Sequence, residues 1–275
     1  MPPTRKQRCG DWIIAIPSYK RAETLRDKTL ALLQSYHVPS SKIHVFVANK
    51  EEYDTYKATL RTGTYGHMHI GVPGMAAIRN FITEFFPKGK AILNMDDDIK
   101  GFLELDGDKG VPLKHFCTKI QNAFQLSKRT GFRLFGFYPV ANPFFMKDAE
   151  PTRDLRYVIG SVWGIYNPGK ILTVGIDDKE DYLRTVIMYL LDGGVLRYRT
   201  IAPISAYYKE QGGMQETRTL KRIEASANAM VQAFPDLVTI NLTKKSGIPE
   251  VRLRDTREEK TFGEKALRAY TMPSL

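Results

Sequence analysis

Long apolar runs are missing from this chain of 275 residues. None approaches the roughly 20 residues a helix needs to cross a bilayer, so the sequence predicts no membrane partner. Cysteine is nearly absent as well. Cys9 and Cys117 are too few for a disulfide framework and wrongly spaced for a zinc site, which fits a reducing cytoplasm. The basic start, Met1-Pro2-Pro3-Thr4-Arg5-Lys6-Gln7-Arg8, has no apolar signal core behind it, so the expectation is an unexported, cytoplasmic protein. In such a protein the sequon at Asn241-Leu242-Thr243 carries no meaning. Histidine is scarce too: His37, His44, His67, His69 and His115 are all there are. Internal repeats and low-complexity linkers are also missing, which favours one domain over residues 1–275.

What is present is ordinary for a globular protein: 43% hydrophobic and 26% charged residues, enough to build a substantial core. Forty-one Lys and Arg against thirty Asp and Glu give +11, a charge that attracts polyanions by counterion release. The basic residues are dispersed, in clusters such as Arg5 to Arg8, Lys20 to Lys28, Arg197 to Arg199 and Arg252 to Lys260, with no single recognition helix or tail. Charge alone therefore fits a soluble basic enzyme as well as a nucleic-acid binder.

The most informative stretch is Lys90-Ala91-Ile92-Leu93-Asn94-Met95-Asp96-Asp97-Asp98, an apolar run of strand length that ends in three carboxylates. Three like charges at a strand end repel one another and resist desolvation, so they suit a cation or a titrating step. Alternate carboxylates, Asp96 and Asp98, can converge on one hard ion that keeps sites for phosphate oxygens. The other reading is a solvated acidic loop that caps a helix.

Trp12 to Pro17 and Ile43 to Ala48 read as buried strands, and His67 to Ile70 and Ala91 to Met95 as further short strands. Between them, helical spacing runs over Ala22 to Tyr36, Glu51 to Arg61 and Met75 to Phe86. This alternation predicts an α/β fold, a mostly parallel Rossmann-like sheet flanked by helices. Ligands on such sheets gather at the carboxyl ends of the strands, where Pro17-Ser18-Tyr19, Asn49 and Asp96 to Asp98 lie. The half from about 111 to 275 is more irregular. Helices are predicted over Leu113 to Lys128, within Ile176 to Leu191 and over Glu216 to Phe234. Strands are predicted over Phe132 to Tyr138, Tyr157 to Tyr166 and Val195 to Tyr198, with a terminal hairpin from Leu237 to Leu242 and Val251 to Arg254. Asp177, Asp178, Glu180 and Asp181 open one of these helices, where acids compensate the dipole.

Three segments then occur in order: Ile14-Ala15-Ile16-Pro17-Ser18-Tyr19-Lys20-Arg21, Gly74-Met75-Ala76-Ala77-Ile78-Arg79-Asn80 and Asn94-Met95-Asp96-Asp97-Asp98. Together they resemble the nucleotide-sugar half of glycosyltransferase-A fold enzymes, with Lys179-Glu180-Asp181 similar to that fold's x-Glu-Asp motif. The resemblance covers about residues 11 to 192. It implies a nucleotide-sugar-binding half over about 11–110 and an acceptor-binding half over about 111–275. Within the fold, size, charge and the wording around Ile16 and Asp97 are most similar to the TET-associated glycosyltransferases, largely bacteriophage enzymes that glycosylate hydroxymethylated bases in DNA.

The resemblance implies a donor site formed by Pro17, Ser18, Tyr19, Arg21, Asn49, Arg79, Asn80, Asp96 and Asp97, with Asp98 and Asp96 on a divalent ion, Mn²⁺ or Mg²⁺. The resemblance further implies a UDP-sugar donor and an acceptor DNA that carries 5-hydroxymethylcytosine. It implies Asp181 as the general base of an inverting displacement, with Glu180 its rival. Many enzymes of this fold add a carboxyl-terminal His to the metal, and this chain has none after Asp181, so the ion is held by the acidic motif, the donor diphosphate and water, or by a further group such as Gln211 or Gln215. Trp163 and Tyr166 are core residues or stacking platforms, and Gly212-Gly213 is a lid or a turn. His67 and His69 read as structural. Competing functions are glycosyl transfer to a glycan, lipid or protein, nucleotidyl transfer, and non-catalytic DNA binding. Nucleotidyl transfer lacks its Gly-rich loop in Pro17 to Arg21, and DNA binding alone leaves both acidic motifs unexplained.

Overall fold

A computed structural model describes residues 9–205, 219–241 and 249–274. Its centre is a seven-stranded sheet in the order β3-β2-β1-β4-β8-β7-β9, formed by β1 (Ile13–Pro17), β2 (Ile43–Val47), β3 (His67–Ile70), β4 (Ala91–Met95), β7 (Leu134–Gly136), β8 (Val162–Tyr166) and β9 (Leu196–Arg197). Strands β3, β2, β1 and β4 run parallel, as the alternating strand and helix patterns predict. Strand β8 then pairs antiparallel with β4, with Met95 opposite Val162. That reversal brings the entry of β8 beside the exit of β4, and the candidate site depends on it.

The central strands β1 and β4 are largely apolar because both faces of the sheet are covered there. In β1, Ile14 and Ile16 enter one core, while Ile13 and Ala15 enter the other. The first core is filled by the helical run α1 (Ala22–Leu25), a π-helical turn over Arg26–Leu30 and α2 (Ala31–Ser35), together with α5 (Phe116–Thr130). The second takes α4 (Met75–Phe85), α6 (Glu180–Asp192) and α7 (Leu220–Ala233). Helix α3 (Lys50–Thr59) packs its one fully buried side chain, Tyr56, into the first core.

Several expectations need correction. Only Val162–Tyr166 of the stretch from Tyr157 is strand, and the residues before it are loop. Residues past Asp98 and past Thr200 form an antiparallel sheet, β10-β5-β6, from β5 (Ile99–Asp106), β6 (Lys109–Pro112) and β10 (Ile201–Ser205). Gly101 in β5, Gly110 and Pro112 in β6 and Pro203 in β10 weaken the strand signal there. The terminal hairpin is present as β11 (Val238–Asn241) against β12 (Glu250–Leu253), while its connection lies outside the described residues. Cys9 and Cys117, expected as separate thiols, form a disulfide with Cα atoms 4.8 Å apart, joining the chain ahead of β1 to α5. They lie 108 residues apart in sequence, so their proximity is a product of the fold. Among the described residues no helix is long and apolar enough to cross a membrane.

Candidate active site

The acidic loop is held from two sides. The Asp96 amide donates to the Ser161 carbonyl at 2.8 Å, and the Asp96 carbonyl accepts from the Thr29 hydroxyl at 2.8 Å. The same hydroxyl accepts from the Ile99 amide at 2.9 Å, so one side chain brackets the turn. Thr29 reaches it from the π-helical turn, a local widening that frequently marks functional sites.

The three aspartates then diverge. Asp97 is buried and turns back toward the first loop, accepting from Ser18 Oγ at 2.6 Å and from Arg21 Nη1 at 3.4 Å. Ser18 lies 2.7 Å from the Tyr56 hydroxyl; since Ser18 donates to Asp97, the phenol donates to Ser18. The Arg21 amide donates to Tyr56 in turn, at 2.9 Å. Burial pushes the Asp97 carboxyl up to about 6, against the pull of Ser18 and Arg21. Asp97 thus fastens the Pro17 to Arg21 loop to the end of β4. Asp96 and Asp98 are both half-buried at that strand end.

Asp96 meets Arg79 from α4, whose Nη2 lies 2.7 Å from Oδ1. Burial pushes the Asp96 carboxyl up to about 7; Arg79 opposes the shift, while Asp98 and Asp97 add to it. Arg79 Nη2 also donates to the Gly160 carbonyl at 3.1 Å. The amide of the same Gly160 donates to Asp181 Oδ2 at 3.1 Å, joined there by the Tyr157 hydroxyl. One peptide residue therefore links the acidic triplet to the second acidic motif. A Cβ at Gly160 would sit 3.0 Å from Glu180 Oε1 and 3.3 Å from Asp181 Oδ2, so the position has room for little but glycine.

Lys179 adopts the left-handed region (φ 67°) and puts Glu180 and Asp181 in the first turn of α6. They differ sharply. Glu180 is buried, with Oε2 2.6 Å from Arg184 Nη1 and Oε1 3.8 Å from Arg79 Nε; burial pushes its carboxyl up against both guanidinia. Among the described residues, Asp181 Oδ1 accepts from the Tyr182 amide at 3.0 Å. A proton acceptor needs an accessible carboxylate, and Asp181 is half-buried where Glu180 is buried.

Asn80 binds the Val174 backbone through both ends of its amide, at 2.8 and 2.9 Å, fastening α4 to the chain before α6. Asn49 caps α3, accepting from the Glu52 amide at 2.9 Å. Pro17 ends β1, and Tyr19 is half-buried beside Lys20. Trp163 is core, with the Arg184 guanidinium 3.8 Å from its ring, and Tyr166 packs on Phe124. Asp177 and Asp178 do not act only on their own helix: Asp177 accepts from the Ala76 amide at the start of α4, at 2.8 Å, and both face Arg222 of α7. Gln211, Gln215 and Gly212-Gly213 lie outside the described residues. Thr29, Tyr157, Gly160 and Arg184 were not found from sequence; only Arg184 carried a signal, its i,i+4 spacing from Glu180.

Among the described residues, no three His, Cys, Asp or Glu side chains gather as a metal cluster. Asp96 and Asp98 are hard oxygen donors, half-buried at one strand end, of a type that would suit a divalent ion and leave positions on it for phosphate oxygens and water.

No protein-family model and no curated protein matches the chain. Among solved structures, S. aureus TarS 1-349 is 12% identical with a TM-score of 0.47, over 70% of this chain and 59% of that one. This chain thus matches less than two thirds of the length of TarS 1-349. A mannosyltransferase from Pyrobaculum calidifontis, solved with GDP-Man and Mn²⁺, is 13% identical over 73% of this chain and 58% of that one, with a TM-score of 0.47. Glucosyl-3-phosphoglycerate synthase from Mycobacterium tuberculosis, solved with Mn²⁺, UDP-glucose and phosphoglyceric acid, is 7% identical over 94% of this chain and 92% of that one, with a TM-score of 0.48.

Proposed function

We propose that this protein is a nucleotide-sugar-dependent glycosyltransferase whose acceptor is the hydroxyl of 5-hydroxymethylcytosine in DNA. The observation that carries the transferase reading is the Gly160 bridge: its carbonyl and amide join Arg79, and through it Asp96, to Asp181. A site with ion-facing carboxylates on one side and a proton acceptor on the other suits displacement at an anomeric carbon. The +11 charge and the sequence resemblance support the DNA acceptor.

In this reading Asp96 and Asp98 hold the divalent ion, Mn²⁺ or Mg²⁺, which when bound neutralises charge on the departing diphosphate. Pro17, Ser18, Tyr19 and Arg21 form the wall for the nucleobase, fixed by the Asp97 hydrogen bonds. Asp181 accepts the proton of the attacking hydroxyl through Oδ1, because Oδ2 is already engaged by Gly160 and Tyr157. Direct attack with such a base inverts the anomeric configuration. A base inside a duplex presents its hydroxymethyl group in the major groove, so a duplex acceptor is bent or the base extruded unless the site reaches into the groove.

The test incubates the enzyme, Mn²⁺ and candidate nucleotide sugars, UDP-glucose first, with matched cytosine and 5-hydroxymethylcytosine DNA, then digests the DNA and weighs the nucleosides. A hexose mass on the hydroxymethylated DNA alone is the expected result, and it should fade as salt rises. Transfer to neither DNA but readily to a glycan, lipid or protein would replace the acceptor; no transfer to any of them would remove the transferase reading.

A further inference from the structure

Two buried guanidinia approach Glu180, and the reaction described above uses only one of them. Arg184 is 1% exposed and Arg79 4%, and both approach the single carboxylate of Glu180. Arg184 holds the shorter contact, 2.6 Å to Oε2, while Arg79 Nε stands 3.8 Å from Oε1. Arg79 instead spends Nη2 on Asp96 and on the Gly160 carbonyl. Arg184 cannot swing away, because its guanidinium lies 3.8 Å from the centre of the Trp163 ring and its residue is closed off from water.

A buried carboxylate left without its cation is costly, so it draws any cation within reach. Remove Arg184, and the cation nearest Glu180 is Arg79, which then has to choose between Glu180 and Asp96. We propose that Arg184 is a positioning residue of the transfer site: by satisfying Glu180 it keeps Arg79 on Asp96 and on the Gly160 carbonyl, and so fixes Asp96 relative to Asp181. Glu180 is then the hinge of this arrangement, and its role as an alternative base falls away. The inference rests on the glycosyltransferase reading for its consequence, while the arrangement of side chains is tested independently of it.

Three variants separate the possibilities: Arg184→Met, Arg184→Lys and the double variant Glu180→Gln with Arg184→Met. In crystal structures, Arg184→Met should show Arg79 turned from Asp96 toward Glu180. The double variant, which buries no unmatched carboxylate, should show Arg79 back on Asp96 even if the single variant folds poorly. Mn²⁺ titrated in the presence of UDP, followed by the electron paramagnetic resonance of free Mn²⁺, should bind about tenfold more weakly to Arg184→Met, the usual scale for loss of a group that orients a ligand. Arg184→Lys and the double variant should recover most of that affinity. A purely structural Arg184 would lower the melting temperature in all three variants and leave Mn²⁺ affinity unmoved. Arg79 remaining on Asp96 in Arg184→Met, or a double variant no better than the single one, would overturn the proposal. Wild-type protein that binds no Mn²⁺ with UDP would sink the donor-site reading, and the position of Arg79 in the crystal structures would still decide the role of Arg184.

Discussion

Asp181 and Glu180 are neighbours in the chain with opposite environments, one half-buried beside Tyr157 and Gly160, the other buried between two arginines. Asp181→Asn preserves shape and removes the proton acceptor, so it should keep UDP-sugar binding while turnover falls roughly 100- to 10,000-fold. Calorimetry with initial rates checks this, and undiminished turnover would move the base elsewhere. The sequence offered Asp96, Asp98 and Asp181 as candidates because chemistry restricts which residue types serve an ion or a proton, and the fold joins Asp96 to Asp181 through Arg79 and Gly160. The direction of Asn80 was not legible, for a geometric reason: successive residues on a helix point about 100° apart, so Arg79 and Asn80 face different partners. Arg79 faces Asp96, and Asn80 faces Val174. Gly160, Tyr157 and Thr29 act through partners at least 21 residues away, and no local pattern announces such contacts.

At the scale of elements, β1, β2 and β4 were legible because burial on both faces writes largely apolar runs, and α4 because one face is apolar. The reversal at β8 was not, because pairing direction is decided by tertiary contacts rather than by the strand's own residues. The π-helical turn was equally hidden, yet it sets Thr29 against the acidic loop. Thr29→Val keeps the volume but leaves the Ile99 amide unpaired in the interior, so chemical denaturation should show a loss of about 1–3 kcal/mol. A loss under a few tenths would mean that the bracket contributes nothing. On the edge of the sheet, His44 of β2 stacks on His67 and His69 of β3, with His44 Nδ1 3.0 Å from His69 Nε2. Burial, then the charges of His67, His69 and Lys90, lower the His44 pKa to about 4 from its usual 6.5. A lowered folded-state value gives stability that is complete above pH 6.5 and lost as pH falls toward 4. His44→Leu should therefore lose less stability than the wild type between pH 7.5 and 4.5, by up to about 2 kcal/mol after allowance for solvent screening. Equal losses would contradict this account of the cluster.

For the whole molecule, two cores on either face of one sheet hold the exits of β1 and β4 and the entry of β8 at one edge, and the two acidic motifs meet there. Helix α7 reaches back to this edge through Arg222 and the pair Asp177 and Asp178, so the carboxyl-terminal half is tied to the approach to α6. The central claim is that this edge binds a nucleoside diphosphate through a divalent ion held by Asp96 and Asp98. The most direct measurement is calorimetric titration of UDP into the wild type and into Asp98→Ala, each with Mn²⁺ and with chelator. The account predicts binding by the wild type only when Mn²⁺ is present, and none by a folded Asp98→Ala variant. UDP bound equally well with chelator, or by Asp98→Ala, would contradict it.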